Sequence, residues 1–287
     1  MMTFDYNLEG PMYTPSLRVD LLSKIMAIPT YSRSEDQMVA FLVDYVHGHG
    51  LARCGVVTTD KWKNVYIRKG KAGHVPCVAA HIDTVHPLGR VNIVTDNEIL
   101  FGTDDKGNRT GIGGDDKAGV YICLELLERF DDIAVVLFAG EEIGMEGANN
   151  APAAWFADLG YVIEFDCTVP GLLSYTSGGS RLFANDGEFI RTAMPVLKAH
   201  GLTHWQRHPY TDVKAVQSRF GVSCLNISSG YHNWHRRDEY VVLKEVQAGL
   251  DAGQALITAL GRRSYPFRPY EADSAEPLCK LTDLKIN

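Results

Sequence analysis

No stretch of the 287-residue sequence is long and apolar enough to span a membrane as a helix. It also lacks any long run of lysine and arginine, and its formal net charge is −7, which argues against a nucleic-acid partner. Six cysteines (Cys54, Cys77, Cys123, Cys167, Cys224 and Cys279) are scattered without a CxxC pair, and several sit in apolar runs as small buried hydrophobes do. The Gly-rich segment GIGGDDKAG has no GK[ST] ending and places two acids where phosphates would lie, which argues against a phosphate loop. The N-terminus MMTFDYNLEGPMYTPS has neither a positively charged start nor an apolar core, so it does not read as a secretory signal, and a cytoplasmic setting is expected. Internal repeats and low-complexity segments are missing too.

A chain of this length buries a core without disulfide or metal staples, so stability alone does not demand a metal. Apolar residues at helical spacing predict helices over 17–26 and 37–46, the second introduced by Ser32, Ser34 and Glu35 as cap candidates. From Cys54 the texture changes to short strand-like runs, GVVTT, NVYIR, VPCVAAH, VNIVT and EILFG, separated by turn residues. GVYICLELLERF then reads as a buried helix, and IAVVLFA and YVIEF as buried strands. Helices are expected over 187–199, 213–219 and 240–260, a strand over 222–228, and an irregular tail from Tyr265. Helix alternating with apolar strand implies an α/β fold, a mixed and mostly parallel sheet covered by helices on both faces.

In such sheets ligands bind beyond the carboxyl ends of the strands, so polar residues that directly follow apolar runs carry the functional signal. VPCVAA ends in His81-Ile82-Asp83, and GIGGDDKAG opens a helix with Asp115 and Asp116. IAVVLFAG ends in Glu141-Glu142, YVIEF in Asp166, and VSCLNISSG leads into Tyr231-His232-Asn233-Trp234-His235. Each alone has an ordinary structural use as a cap, turn or loop residue. Together they form an imidazole and carboxylate set that suits zinc, cobalt or manganese. Asp83, two residues after His81, is placed to orient its ring. A carboxylate bridging two ions would hold them about 3.5–4 Å apart over one shared water of lowered pKa. That water needs a base, and two adjacent glutamates meet both needs if one faces a metal and the other the water.

The ordered segments HIDTV, GGDDKAG, GEEIG, FDCT and GYHNWHRRDEY resemble the co-catalytic dizinc exopeptidases, and among them the peptidase T group of tripeptide aminopeptidases. The resemblance implies a zinc-exopeptidase (phosphorylase/hydrolase-like) architecture. It also implies two divalent ions, with His81 and Asp166 on one, His235 and Glu142 on the other, and Asp115 bridging. Glu141 would be the general base and Asp83 the partner of the His81 ring. The first aspartate of GGDDKAG occupies the family's D-x-K position, which gives Asp116 a supporting role. His235-Arg236-Arg237-Asp238-Glu239 fits the family's final histidine better than His232, which remains a candidate at the substrate, as does Asp212 in YTDVKAV. His86 lies close in sequence to HIDTV. His200, His204 and His208, next to Pro209 in polar surroundings, read as solvated surface.

One departure from the pattern bears on substrate. The interval between Asp166 and His235 is 69 residues, too short to hold the lid or dimerisation domain of the peptidase T group together with catalytic-domain elements. A single catalytic domain over 1–287 is therefore expected. A lidless site grips chiefly the N-terminal residue of a peptide, which favours an aminopeptidase. The same ligands serve N-acyl-amino-acid deacylases and dipeptidases, and a catalytically inactive binding protein is a further alternative. The expected partner is a peptide with a free N-terminus, with neither nucleic acid nor membrane. The sequence leaves the oligomeric state open.

Overall fold

The structure, a computed structural model, describes residues 17–49, 55–87, 89, 91–168, 170–185, 187–208 and 210–267. Cys54, Cys279 and most of the expected irregular tail lie outside the described residues. In chain order the elements are α1 (Val19–Met26), α2 (Asp36–Gly48), β1 (Gly55–Thr59), β2 (Val65–Lys69), β3 (Val75–His81), β4 (Asn92–Asp96), β5 (Ile99–Thr103) and β6 (Arg109–Thr110). Then come α3 (Gly114–Arg129), β7 (Ile133–Phe138), α4 (Glu146–Asn150), α5 (Ala153–Phe156), β8 (Leu159–Cys167), β9 (Leu172–Ser177) and β10 (Ser180–Arg181). The chain continues through α6 (Glu188–Ala199), β11 (His204–His208), α7 (Asp212–Phe220), β12 (Cys224–Ser228), β13 (Tyr231–His232), β14 (Tyr240–Val242) and α8 (Leu243–Leu260).

A nine-stranded sheet runs in the order β1-β2-β7-β3-β8-β12-β9-β10, with β11 added beside β9. Its centre, β7-β3-β8-β12, is parallel, while β1, β2 and the far margin at β9 and β10 pair antiparallel. Every residue of β3, β7 and β8 is buried, which is why these segments read as continuous apolar runs. The pleat of β8 shows the cover on each face. The Glu164 carboxylate hydrogen-bonds Thr211 at the start of α7, whereas the next residue, Phe165, lies against Gly253 of α8. Helices α1 and α3 pack together and α3 packs on α8, while α4 and α5 pack on α7.

Two expectations needed correction. The short runs VNIVT and EILFG do not join the main sheet. As β4 and β5 they form a separate five-stranded sheet with β6, β13 and β14. Its strands come from two distant segments, and their alternation alone did not say which sheet they enter. The closing helix begins only at Leu243, because Tyr240–Val242 pair with Ile99–Phe101 as a strand. Between Asp166 and His235 the chain builds β9, β10, β11 and β12 of the main sheet, with α7 packed on it and α6 packed against α8.

Candidate metal centre

The parallel strands β3, β7 and β8 end on one edge of the sheet, and each delivers a candidate residue there: His81, Glu141-Glu142 and Asp166. The start of α3 adds Asp115, and the loop from β13 to β14 adds His235. Gly113, which enters α3, has φ +65°, and a Cβ there would lie 2.4 Å from the Thr84 methyl, so only glycine fits this turn. Asp115 and Asp116 follow with non-helical angles, φ −79°, ψ 103° and φ −119°, ψ 36°, before the regular helix starts. That break separates the two side chains. Asp116 turns inward, accepting hydrogen bonds from the amides of His81 (3.3 Å) and Gly119 (3.1 Å) and from the Ser229 hydroxyl (3.3 Å).

Asp115 faces both imidazoles. Its Oδ1 is 3.0 Å from His81 Nε2, and its Oδ2 is 3.3 Å from His235 Nε2. His235 Nε2 is also 2.8 Å from Glu142 Oε1, and His81 Nε2 is 3.8 Å from Asp166 Oδ1. The ligand atoms of His81, Asp115 and Glu142 all lie within 4.8 Å of one another, as do those of His81, Asp116 and Asp166. Two imidazoles and carboxylates at such spacing fit divalent ions of the zinc, cobalt or manganese type. His235 itself takes φ +61°, a conformation a non-glycine residue keeps only where its surroundings fix it.

Asp83 takes a second part beside the one expected. The nearest acceptor for His81 Nδ1 is the main-chain carbonyl of Asp83 at 3.0 Å, with the Asp83 carboxylate farther away at 3.6 Å. That carboxylate also accepts the amides of Glu141 (2.9 Å) and Glu142 (3.3 Å) and the Ser32 hydroxyl (2.7 Å). Asp83 thus holds the turn that sets the two glutamates side by side. Glu142 reaches His235, and among the described residues no side chain hydrogen-bonds the Glu141 carboxylate.

The electrostatics follow from burial and from the crowding of acids. Burial, then the charges of Glu142, Asp115 and Asp83, push the Glu141 carboxyl up to about 7. Burial opposes a charged His81, but hydrogen bonds to Asp115 and Asp83 and the Asp166 charge carry its pKa well above the usual imidazole value. Hydrogen bonds to Asp115 and Glu142 raise His235 to about 10. Asp115 is buried as well, yet the two imidazoles hold its carboxyl below the usual range.

A cleft of about 620 Å³ opens over this cluster, walled by Met145, Gln206, His208, Tyr210 and Trp234. Tyr231, which the sequence places in the segment after VSCLNISSG without a role, also reaches it and donates to Asp166 Oδ1 at 2.9 Å. His208 corrects the expectation of a solvated histidine run. His204–His208 is strand β11, and Gln206 and His208, two apart, both reach the cleft. His232 is not brought to the cleft. Its Nε2 lies 2.6 Å from Glu245 and its ring stacks on Tyr240 at 4.9 Å, in a different surface depression. Asp212 is buried outside the cleft lining at the start of α7, and burial and the neighbouring Glu164 raise its pKa well above the carboxylate range.

No family model matches the chain, and no curated protein does. Solved structures share its fold. The aminopeptidase PepT from Bacillus cereus is 13% identical, with a TM-score of 0.69 over 84% of this chain and 97% of that one. A tripeptidase from Staphylococcus aureus is 14% identical, with a TM-score of 0.68 over 84% of this chain and 96% of that one. An endoglucanase from Thermotoga maritima is 13% identical, with a TM-score of 0.55 over 83% and 96%. The expected likeness to peptidase T and the α/β architecture therefore hold at the level of the fold, and differently named activities share it, so chemistry has to be argued from the site.

Proposed function

We propose that the protein is a metal-dependent aminopeptidase, formed as a single catalytic domain, that releases N-terminal residues from peptides. The observation that carries this reading is the division of the Asp115 carboxylate, one oxygen toward His81 and the other toward His235, with a Glu141 carboxylate beside it that no side chain among the described residues hydrogen-bonds. His81 and Asp166 would hold one divalent ion, His235 and Glu142 the other, and Asp115 would touch both. Ions bound there would polarise the scissile carbonyl and lower the pKa of a water between them. Glu141 supplies the base: its carboxylate, at the cleft beside Asp115 and Glu142, takes the proton from the attacking water and returns it to the leaving amine. Asp83 keeps Glu141 and Glu142 at their separate tasks by binding both amides.

The substrate's free amine is favoured by the acidic lining of the cleft, where Asp115, Glu141, Glu142 and Asp166 lie together. The absence of a lid insertion from the Asp166–His235 interval supports a site that grips the N-terminal residue. The test is digestion of a mixed peptide pool, with N-acetylated twins of each peptide, by metal-loaded and chelated protein, followed by mass spectrometry. Metal-dependent loss of single N-terminal residues from the free-amine peptides alone is the expected result. Cleavage of the acetyl groups would assign a deacylase, and no metal-dependent product would leave a binding protein.

A further inference from the structure

The helix α3 has four leading amides to satisfy, and its cap position, Gly113, offers no side chain. The acceptor comes from far along the chain. Glu239, 1% exposed, takes the amides of Ile112 (2.9 Å) and Gly113 (2.8 Å) on Oε2 and that of Asp115 (3.1 Å) on Oε1. A local Ser or Asp cap at position 113 would reach the Asp115 amide alone of these three. What a local cap cannot do is tie this turn to another part of the site. Glu239 ends the β13–β14 loop that carries His235 four residues earlier. The loop is itself anchored, since Arg109 Nη2 donates to the carbonyls of Asp238 and Glu239, both at 3.3 Å, while its guanidinium lies 4.0 Å over the Phe101 ring.

We infer that Glu239 is a positioning residue that fixes the Asp115 turn against the His235 loop and so sets the spacing of the two metal positions. The inference rests on the two-metal reading of the site. Of the residues that would hold the ions, Asp115 opens α3 and His235 sits in the β13–β14 loop far along the chain, and their separation of 3.3 Å depends on how that loop sits on the turn. A buried carboxylate that accepts three amides makes that relation rigid, because releasing it would strand both the charge and the donors.

The test is zinc titration by calorimetry of the wild type, Glu239→Gln and Arg109→Ala, with thermal melts in chelator and the visible absorption of the cobalt forms. The glutamine keeps the size but turns an NH₂ toward amide donors. Expected are two ions in the wild type, and in Glu239→Gln a first ion held nearly as well and a second about tenfold or more weaker, with an altered cobalt spectrum. The chelated melting temperature should change little. Arg109→Ala, which frees the loop at the surface, should weaken the second ion by a smaller factor, and it decides the matter if Glu239→Gln fails to fold. Unchanged second-ion affinity, or an equal loss of melting temperature with and without metal, would make Glu239 merely structural and overturn the inference while leaving the two-metal reading intact. Fewer than two ions in the wild type would overturn both.

Discussion

Loading the centre with metal at neutral pH should expel protons, and their number can be worked from the site. Imidazoles bind ions only when neutral. His235, with a pKa of about 10, is almost fully charged at pH 7, and so gives up close to one proton. His81, raised well above its ordinary value by Asp115 and Asp83, gives up nearly another. Burial pushes the Asp166 carboxyl well above its usual range, and it adds to the total. Binding two ions should therefore release about two protons or more, and the joint affinity should rise about a hundredfold per pH unit near neutrality. Calorimetric titration with zinc in buffers of different ionisation enthalpy counts the protons directly. Release of less than one proton, or an affinity flat between pH 6 and 8, would refute the assignment of both histidines as ligands. The same raised pKa stabilises the metal-free fold below the unfolded value of about 6.5, and that contribution is lost as pH climbs toward 10.

Three further outcomes follow from the geometry. Asp115→Ala removes the carboxylate that faces both imidazoles and should abolish occupancy by the second ion, read by metal analysis after dialysis. Asp83→Asn turns an amide NH₂ toward the main-chain donors of Glu141 and Glu142, and should cut turnover about tenfold or more with smaller effects on the first ion. Gly119→Ala would place a methyl 2.5 Å from both Asp116 oxygens and 2.7 Å from the Phe165 carbonyl, so the metal-free protein should lose about 1–3 kcal/mol in a denaturation series.

The centre was more legible in the sequence than the frame around it. His81, Glu141, Glu142 and Asp166 are readable because fully buried parallel strands announce themselves as apolar runs, and the first polar residue after such a run falls at the sheet edge. His235 was harder, since HNWHRRDE offers two histidines, and only the pairing of β13 with β14 turns His232 toward Glu245 and leaves His235 facing Asp115. The split into two sheets was not readable, because β5 pairs with strands on either side of it in space, β4 nearby in sequence and β14 nearly 140 residues on. Asp83 illustrates the same limit at one residue. Its spacing from His81 was right, but whether the ring meets the side chain or the carbonyl is settled by how the 141–142 turn comes in to claim the carboxylate.

The central claim is that neighbouring glutamates divide the work, Glu142 holding metal with His235 and Glu141 moving a proton. Side-by-side assay of Glu141→Gln and Glu142→Gln, with metal content and peptide turnover measured on the same samples, tests it most directly. Glu141→Gln should keep two ions and lose about 10²–10⁴ in kcat, while Glu142→Gln should lose the ion near His235. Near-normal turnover in Glu141→Gln, or metal loss in that variant and not in the other, would contradict it.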